Sequence, residues 1–218
     1  MKLSIILEKL NGMIIHGKQG VVIQYCAVPS PLVNRSTSFG LTSTDTDLFN
    51  MIENSMSGDT EDQSRVNEFL RKHGKDLCRA FHVVLTNVTE PTVVRYALAR
   101  IDYLLPDGRE LRSRVQYFTE KNVVDAAPYL RLIRSAQGYV EHAASLILAK
   151  MLSVKPDVEG MKALIDWIIQ CLSLGANAVQ LVDPVKASSA RAVIGALMAL
   201  LRNPQARLMF TQANGVKL

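Results

Sequence analysis

Aromatic residues are scarce in this chain: they make up 6% of its 218 residues, and Trp occurs once. The hydrophobic content of 48% comes mainly from Leu, Ala, Val and Ile. Aromatic and β-branched side chains are enriched in β-sheets, whereas Leu and Ala are strong helix formers. The composition therefore favours helix-on-helix packing over a β-sandwich, with enough apolar residues for a sizeable core.

Paired cysteines and long apolar runs are also missing. Cys26, Cys78 and Cys171 lie far apart and form no CxxC pair, which argues against a disulfide framework and for a reducing compartment. No apolar run approaches the ~18 residues that a membrane-spanning helix needs. The opening MKLSIILEKL is broken by Glu8 and Lys9, so its apolar run is too short for a signal peptide. The sequence predicts a cytosolic protein with no direct membrane insertion.

Catalytic and metal-binding motifs are absent or incomplete. The stretch GMIIHGKQ at residues 12–19 matches the Gly-x-x-x-x-Gly-Lys pattern of a phosphate-binding loop. However, Gln19 stands where a Ser or Thr hydroxyl would bind magnesium. The four histidines form no His-x-x-x-His arrangement, and there is no Gly-x-Ser-x-Gly. We therefore expect no enzymatic activity, no cofactor and no bound metal.

The net charge is mildly positive, +5 at pH 7 with a pI near 9.2. RNA-binding helical repeats place base-reading residues at a fixed position of every repeat. No such register relates the three basic clusters, so we expect no nucleic-acid partner. A solvated helix face and a docking surface for an acidic partner helix are both open interpretations. The clusters are Arg71, Lys72 and Lys75; Arg109, Arg112 and Arg114; and Arg131 with Arg134.

The first 40 residues differ in character from the rest of the chain. They contain Pro29 and Pro31 and end in a Ser/Thr-rich stretch, which predicts a poorly defined N-terminal segment and linker over residues 1–40. Helical signals follow one another from residue 41 onward. Pro91 suits the first turn of one helix, Pro106 ends it, and Pro128 begins another.

An internal repeat is the most informative pattern in the sequence. The segments YALARIDYLL (96–105), ASLILAKMLS (144–153) and AVIGALMALL (192–201) align at an equal offset of 48 residues. Each is followed within a few residues by a proline, at positions 106, 156 and 204. HEAT and armadillo units run about 40–47 residues. A period of 48 residues fits such a unit with a slightly long loop. The period therefore predicts an all-α, armadillo/HEAT-like right-handed α-solenoid over residues 41–218.

The stretch MKALIDWIIQCL predicts a helix with two faces. Its apolar stripe comprises Met161, Leu164, Ile165, Ile168 and Leu172. The last helix of an armadillo unit lines the concave groove of the solenoid. The polar residues of this helix and of the helix that begins with PYLRLI are therefore candidates for a partner-binding groove: Arg131, Arg134, Lys162, Asp166 and Gln170. Trp167 flanks the stripe, either as a core residue or as a partner-facing anchor.

The final stretch, NPQARLMFTQANGVKL, predicts a short helix, a turn at Asn214-Gly215 and the first turn of another groove-lining helix. In this register the repeat domain is incomplete at its C-terminal end. We expect Leu208, Met209 and Phe210 to lack the neighbouring helix that would cover them.

Five stretches, in order, resemble a known family: TVVRYALARIDYLL, PYLRLI, VEHAASLILAKML, LIDWIIQCL and NPQARLMFTQANGVKL. From about Leu41 onward, the chain is similar to the N-terminal armadillo domain of the H subunit of the vacuolar-type proton ATPase (V-ATPase). Residues 1 to about 40 do not resemble the start of that family. The family also continues into a second, C-terminal helical domain that this sequence does not contain.

The resemblance implies a non-catalytic regulatory subunit on the cytosolic side of an organelle membrane. It implies binding to the peripheral stalk made of subunits E and G, contact with other subunits of the catalytic sector, and a role in coupling ATP hydrolysis to proton transport. The alternative is an armadillo-type adaptor for peptides or cargo proteins. Such adaptors carry a ladder of Trp and Asn residues along the groove, whereas this chain has one Trp.

Overall fold

The computed structural model describes residues 42–56, 63–120, 123–136, 138–177, 184–213 and 215. The expected N-terminal segment and linker, the GMIIHGKQ stretch, Cys26 and the expected helical turn at 216–218 lie outside these ranges. The structural statements below concern the described residues.

The described chain is almost entirely helical, which confirms the predicted all-α class and solenoid-like fold. A single 3₁₀ turn at Gln116–Phe118 precedes two short antiparallel strands, β1 (Thr119–Glu120) and β2 (Val123–Val124), with Thr119 opposite Val124. The helices are α1 (Ser43–Met56), α2 (Gln63–Asn87), α3 (Pro91–Leu104), α4 (Arg109–Val115), α5 (Ala127–Ser135), α6 (Tyr139–Val154), α7 (Val158–Asn177), α8 (Pro184–Leu200) and α9 (Pro204–Gln212).

Proline and glycine mark the helix boundaries, and the prolines do so where the sequence predicted. Pro91, Pro128 and Pro204 each stand in the first turn of a helix, where the missing N–H costs no hydrogen bond. Gly108 and Gly138 precede α4 and α6 with φ of 115° and 68°. Only glycine adopts such values without strain, so both positions fix the direction in which the next helix begins.

The helices form two layers. In one layer α3 packs on α6 and α6 packs on α8; in the other, α2 packs on α5 and α5 packs on α7. The layers meet where α2 contacts α3, α5 contacts α6, and α7 contacts both α6 and α8. Apolar residues from every helix join one continuous core between the layers. Repeated units stacked in this way bury a shared core that no unit could bury alone.

The 48-residue period is visible in the contacts between units. Lys150 of α6 stands 48 positions after Asp102 of α3, and its Nζ lies 2.8 Å from Asp102 Oδ1. The same Nζ donates to the carbonyl oxygen of Leu105 at 3.0 Å. Lys150 is buried, whereas the Asp102 side chain is 40% exposed. The ammonium group thus gives the carbonyl oxygen at the C-terminal end of α3 a hydrogen-bond donor and fixes the register between the two units.

Replacing Lys150 with Ala is expected to lower the free energy of unfolding by about 2 kcal/mol, because the Leu105 carbonyl is left without its partner in a buried place. Lys150→Met keeps most of the side-chain volume, so we expect a smaller loss of about 1 kcal/mol. Urea unfolding followed by circular dichroism would measure both changes. If Lys150→Ala were neutral, the proposed role of Lys150 in fixing the register would be wrong.

Asn203 makes a similar connection between α9 and the end of α6. Its Oδ1 accepts hydrogen bonds from the backbone N–H groups of Gln205 and Ala206, at 2.8 Å and 3.4 Å, and so caps α9. Its Nδ2 donates to the carbonyl oxygen of Ser153 at 3.3 Å. One side chain therefore begins a helix and ties it to the preceding unit.

Asn203→Ala is expected to cost about 1–2 kcal/mol of stability, since it removes an N-cap from a helix. Asn203→Asp keeps the cap but cannot donate to Ser153, so its loss should be smaller. Thermal unfolding of the two variants side by side would check this order. Equal losses would show that the contact with Ser153, which both variants lack, matters more than the cap.

The three side chains that were expected to lie uncovered near the C-terminal end differ in burial. Leu208 is 59% exposed and Met209 is half-buried, but Phe210 is only 6% exposed, so the expectation was wrong for Phe210. Gly215 explains the difference, because a Cβ at this position would lie 2.4 Å from Cε2 and Cζ of Phe210. Gly215 is a turn residue as predicted, but it does not have positive φ. Glycine is suited to this position because the backbone passes close to the Phe210 ring and leaves no space for a Cβ.

Candidate partner-binding surface

The candidate groove residues lie on α5 and α7, two neighbouring helices of one layer. Both helices present an apolar face to the core: Leu132 and Ile133 of α5 are buried, as are Met161, Leu164, Ile165 and Ile168 of α7. Leu172, predicted to be buried with the latter group, is only partly buried. The opposite faces of both helices are left to solvent. Arg131 and Arg134 therefore lie on the exposed side of α5, and Lys162, Asp166 and Gln170 lie on the exposed side of α7.

The basic residues of α5 differ in their contacts. Arg131 is exposed, yet its guanidinium Nη2 donates to the carbonyl oxygen of Leu85 near the C-terminal end of α2. That carbonyl has no partner further along its own helix, so Arg131 stabilises the packing of α5 on α2. Arg134 is exposed in the last turn of α5, where a cation is favoured by the helix dipole.

The polar residues of α7 are presented at helical spacing. Lys162, Asp166 and Gln170 are exposed. Trp167 is partly buried and packs against the core, with part of its ring left accessible. The contact with the core agrees with the first interpretation of Trp167, and its role as a partner-facing anchor stays a prediction. A role of this surface in binding stays a prediction.

Two open clefts adjoin this layer. A cleft of about 690 Å³ lies where β2, the start of α5 and the start of α7 meet, and its lining includes Val123, Asp125 and Glu159. The sequence pattern does not indicate this cleft, because the cleft depends on how two helix starts approach each other. An aspartate just before each helix, Asp125 and Asp157, is the signal that could have indicated it.

The second cleft, of about 430 Å³, lies between α2 and α4 and is lined in part by Arg114. The Arg114 side chain is 1% exposed. Its guanidinium donates to Asn67 Oδ1 at 3.1 Å, to the Leu104 carbonyl at 3.3 Å and to Glu110 Oε2 at 2.6 Å. Burial lowers the pKa of Arg114, and Glu110 partly opposes that shift. These contacts hold α2, α3 and α4 together, so Arg114 in this cleft serves to stabilise the packing of the helices.

The two described cysteines are poorly suited to act as nucleophiles. Burial raises the pKa of Cys78 well above its usual value. Burial, and to a smaller extent the nearby Glu141, raises the pKa of Cys171 to about 11. The thiolate is the reactive form of cysteine, so these shifts lower the reactive fraction of both thiols at neutral pH. Burial lowers the pKa of His142, with Glu141 acting in the opposite direction. His142 is therefore mainly neutral at pH 7.

One cluster has the residue types of a catalytic triad but not its geometry. His82 Nε2 lies 3.4 Å from Thr86 Oγ1 and 3.5 Å from Asp125 Oδ2. In a triad the hydroxyl and the carboxylate engage opposite nitrogens of the imidazole, so that one nitrogen can take the proton while the other is held. Here both neighbours face the same nitrogen. The cluster links α2 to the start of α5 and does not form a proton relay.

Two other kinds of site are absent from the described ranges. No group of three or more His, Cys, Asp or Glu side chains is placed there to hold a metal ion. In the same part of the chain, no helix combines the length and the hydropathy that a membrane span requires. What the described surface does offer is polar helix faces and open clefts.

Fold and surface together define this as an armadillo-like helical-repeat protein. The chain belongs to the family of the V-ATPase H subunit, whose family model matches residues 42–218. It is also 25% identical to a probable H subunit of the V-type proton ATPase of Oryza sativa subsp. japonica, over an alignment of 185 residues. That alignment covers 73% of this chain and 38% of the relative, so the chain matches less than half the length of this curated relative. The family resemblance seen in the sequence is thereby confirmed.

Proposed function

We propose that this chain acts as part of a non-catalytic regulatory subunit of the V-type proton ATPase. In this proposal it binds the peripheral stalk formed by subunits E and G and contacts other subunits of the catalytic sector. It helps couple ATP hydrolysis to proton transport, and it works at the cytosolic face of vacuolar and other endomembranes. The match of residues 42–218 to the H-subunit family is the observation that carries this proposal.

The structure supports the choice of surface. The exposed faces of α5 and α7 carry Arg134, Lys162, Asp166 and Gln170 in the same layer, next to the partly accessible Trp167. Mixed charges around one accessible aromatic ring suit a partner helix, because the ring supplies contact area and the charges select the register. We propose this α5–α7 face as the contact for the stalk.

Titration calorimetry with the purified E–G heterodimer tests the proposal. A variant carrying Arg134→Glu, Lys162→Glu and Asp166→Lys should bind the stalk at least about tenfold more weakly, because each change reverses a charge on an exposed face. Arg112→Glu on α4 is the matched control, since Arg112 is also exposed but belongs to neither α5 nor α7. If the folded wild-type chain did not bind E–G, the proposed function would be wrong.

A further inference from the structure

The cleft between the starts of α5 and α7 has a chemistry unlike that of the chain as a whole. Three carboxylates line it, from Asp125, Asp157 and Glu159, and no Lys or Arg is among its lining residues. The whole chain has a net charge of +5. This cleft is therefore a local acidic site on a basic protein, which favours a positively charged occupant.

Two of the carboxylates are held in place by the backbone. Asp125 Oδ1 accepts from the N–H of Ala127 at 2.9 Å, and Asp157 Oδ2 accepts from the N–H of Gly160 at 2.7 Å. Asp125 Oδ2 also lies 3.5 Å from His82 Nε2. Glu159 is exposed in the first turn of α7. Two carboxylates bonded to the backbone and one exposed carboxylate thus line the cleft.

The floor of the cleft is shaped by a close approach of two helix starts. A Cβ on Gly160 would lie 2.7 Å from Asp157 Oδ2 and 3.1 Å from the Cβ of Ala126. Glycine lets α7 come close to the segment before α5, and the space above this contact is left open. The cleft is therefore already formed in the free protein, which reduces the cost of binding.

Apolar surface completes the site. Val123, at the edge of the cleft, is 56% exposed. Leu130 and Ala163 contribute further partly buried apolar lining. Exposed apolar side chains beside carboxylates match a ligand that has one apolar and one basic face. A groove between neighbouring helices commonly accepts such an amphipathic helix.

We propose that this cleft is a docking site for a basic, amphipathic helix of a partner protein. In this arrangement apolar side chains of the partner helix pack on Val123 and Leu130, and its Lys or Arg side chains pair with Glu159 and the two capping aspartates. The inference rests on the proposed function in one respect: it takes the α5–α7 side as the side that faces partners.

Fluorescence anisotropy with designed peptides tests this inference. The probe is a labelled peptide of roughly 18 residues, about five helical turns, with Leu on one face and Lys on the other. A second peptide carries Glu in place of Lys. Wild-type chain should bind the Lys peptide at least about tenfold more tightly than the Glu peptide, because only the first complements the carboxylates.

Two exposed substitutions locate the binding. Glu159→Lys should weaken binding of the Lys peptide about tenfold, and Val123→Ser about threefold, since they remove the complementary charge and part of the apolar contact. Asp47→Lys on α1 is the matched control, because it makes the same kind of charge change at an exposed position and should change binding less than about twofold. Equal effects of Glu159→Lys and Asp47→Lys would overturn the proposal, because the attraction would then be a general property of the surface.

Titration of the same variants with the E–G heterodimer separates this inference from the proposed function. Loss of Lys-peptide binding in Glu159→Lys supports the docking site even if the wild-type chain fails to bind the stalk. The opposite outcome is a wild-type chain that binds the stalk but fails to distinguish the two peptides. That result supports the proposed function and overturns the docking site.

Discussion

Phe81→Ala is expected to destabilise the protein by about 4 kcal/mol, as large a loss as truncating one core side chain commonly gives. Phe81 is fully buried in α2, and its ring centroid lies 5.0 Å from that of Phe49 in α1, with the two ring planes inclined at 58°. Truncation therefore removes a large apolar side chain, leaves a cavity between α1 and α2, and breaks a tilted aromatic pair.

Chemical denaturation followed by circular dichroism would measure the loss for Phe81→Ala. Leu208→Ala is the control, because Leu208 is 59% exposed and its truncation should change stability by less than about 0.5 kcal/mol. The double variant of Phe49 and Phe81 should be destabilised by less than the sum of the two single changes, since they share one contact. Strict additivity would contradict direct packing of the two rings.

Arg114→Ala is expected to cost about 3 kcal/mol, because it leaves buried polar groups without their donor. The side chain contacts three helices through the carbonyl of Leu104, the amide oxygen of Asn67 and the carboxylate of Glu110. Glu110 is 41% exposed and can be hydrated after the change. The main loss therefore comes from the Leu104 carbonyl and from the space that the long side chain fills.

The same denaturation experiment applies to Arg114. Arg112→Ala on the same helix is the control, since Arg112 is exposed and its truncation should be nearly neutral. Arg114→Met should recover part of the loss by filling the space, but not the contact with the carbonyl. If Arg114→Ala and Arg112→Ala had equal effects, Arg114 would not hold the three helices together.

Much of the fold could be predicted from the sequence, because the signals that set it are local. The proline after each long helix and the spacing of apolar residues indicated the helix boundaries and the buried faces. The 48-residue offset indicated which helices would stack, and Lys150 with Asp102 shows that offset as a contact. These features depend on neighbours along one helix or on a repeat of equal length.

The rest depends on contacts between residues that are distant in sequence. The bond from Arg131 to the Leu85 carbonyl and the cover that Gly215 gives Phe210 follow from how helices approach each other. Sequence periodicity assigned Arg131 to an exposed surface, which is correct, but it could not show that the side chain also binds α2. The cleft at Gly160 was missed for the same reason.

The central claim is that the chain binds the peripheral stalk through the exposed faces of α5 and α7. Hydrogen exchange with and without saturating E–G heterodimer tests it most directly, because it reports on every helix in one experiment. We predict slower exchange in peptides from Ala127–Ser135 and Val158–Asn177, and unchanged exchange in Ser43–Met56. Protection confined to helices outside α5 and α7, or no protection at all with a folded chain, would contradict the claim.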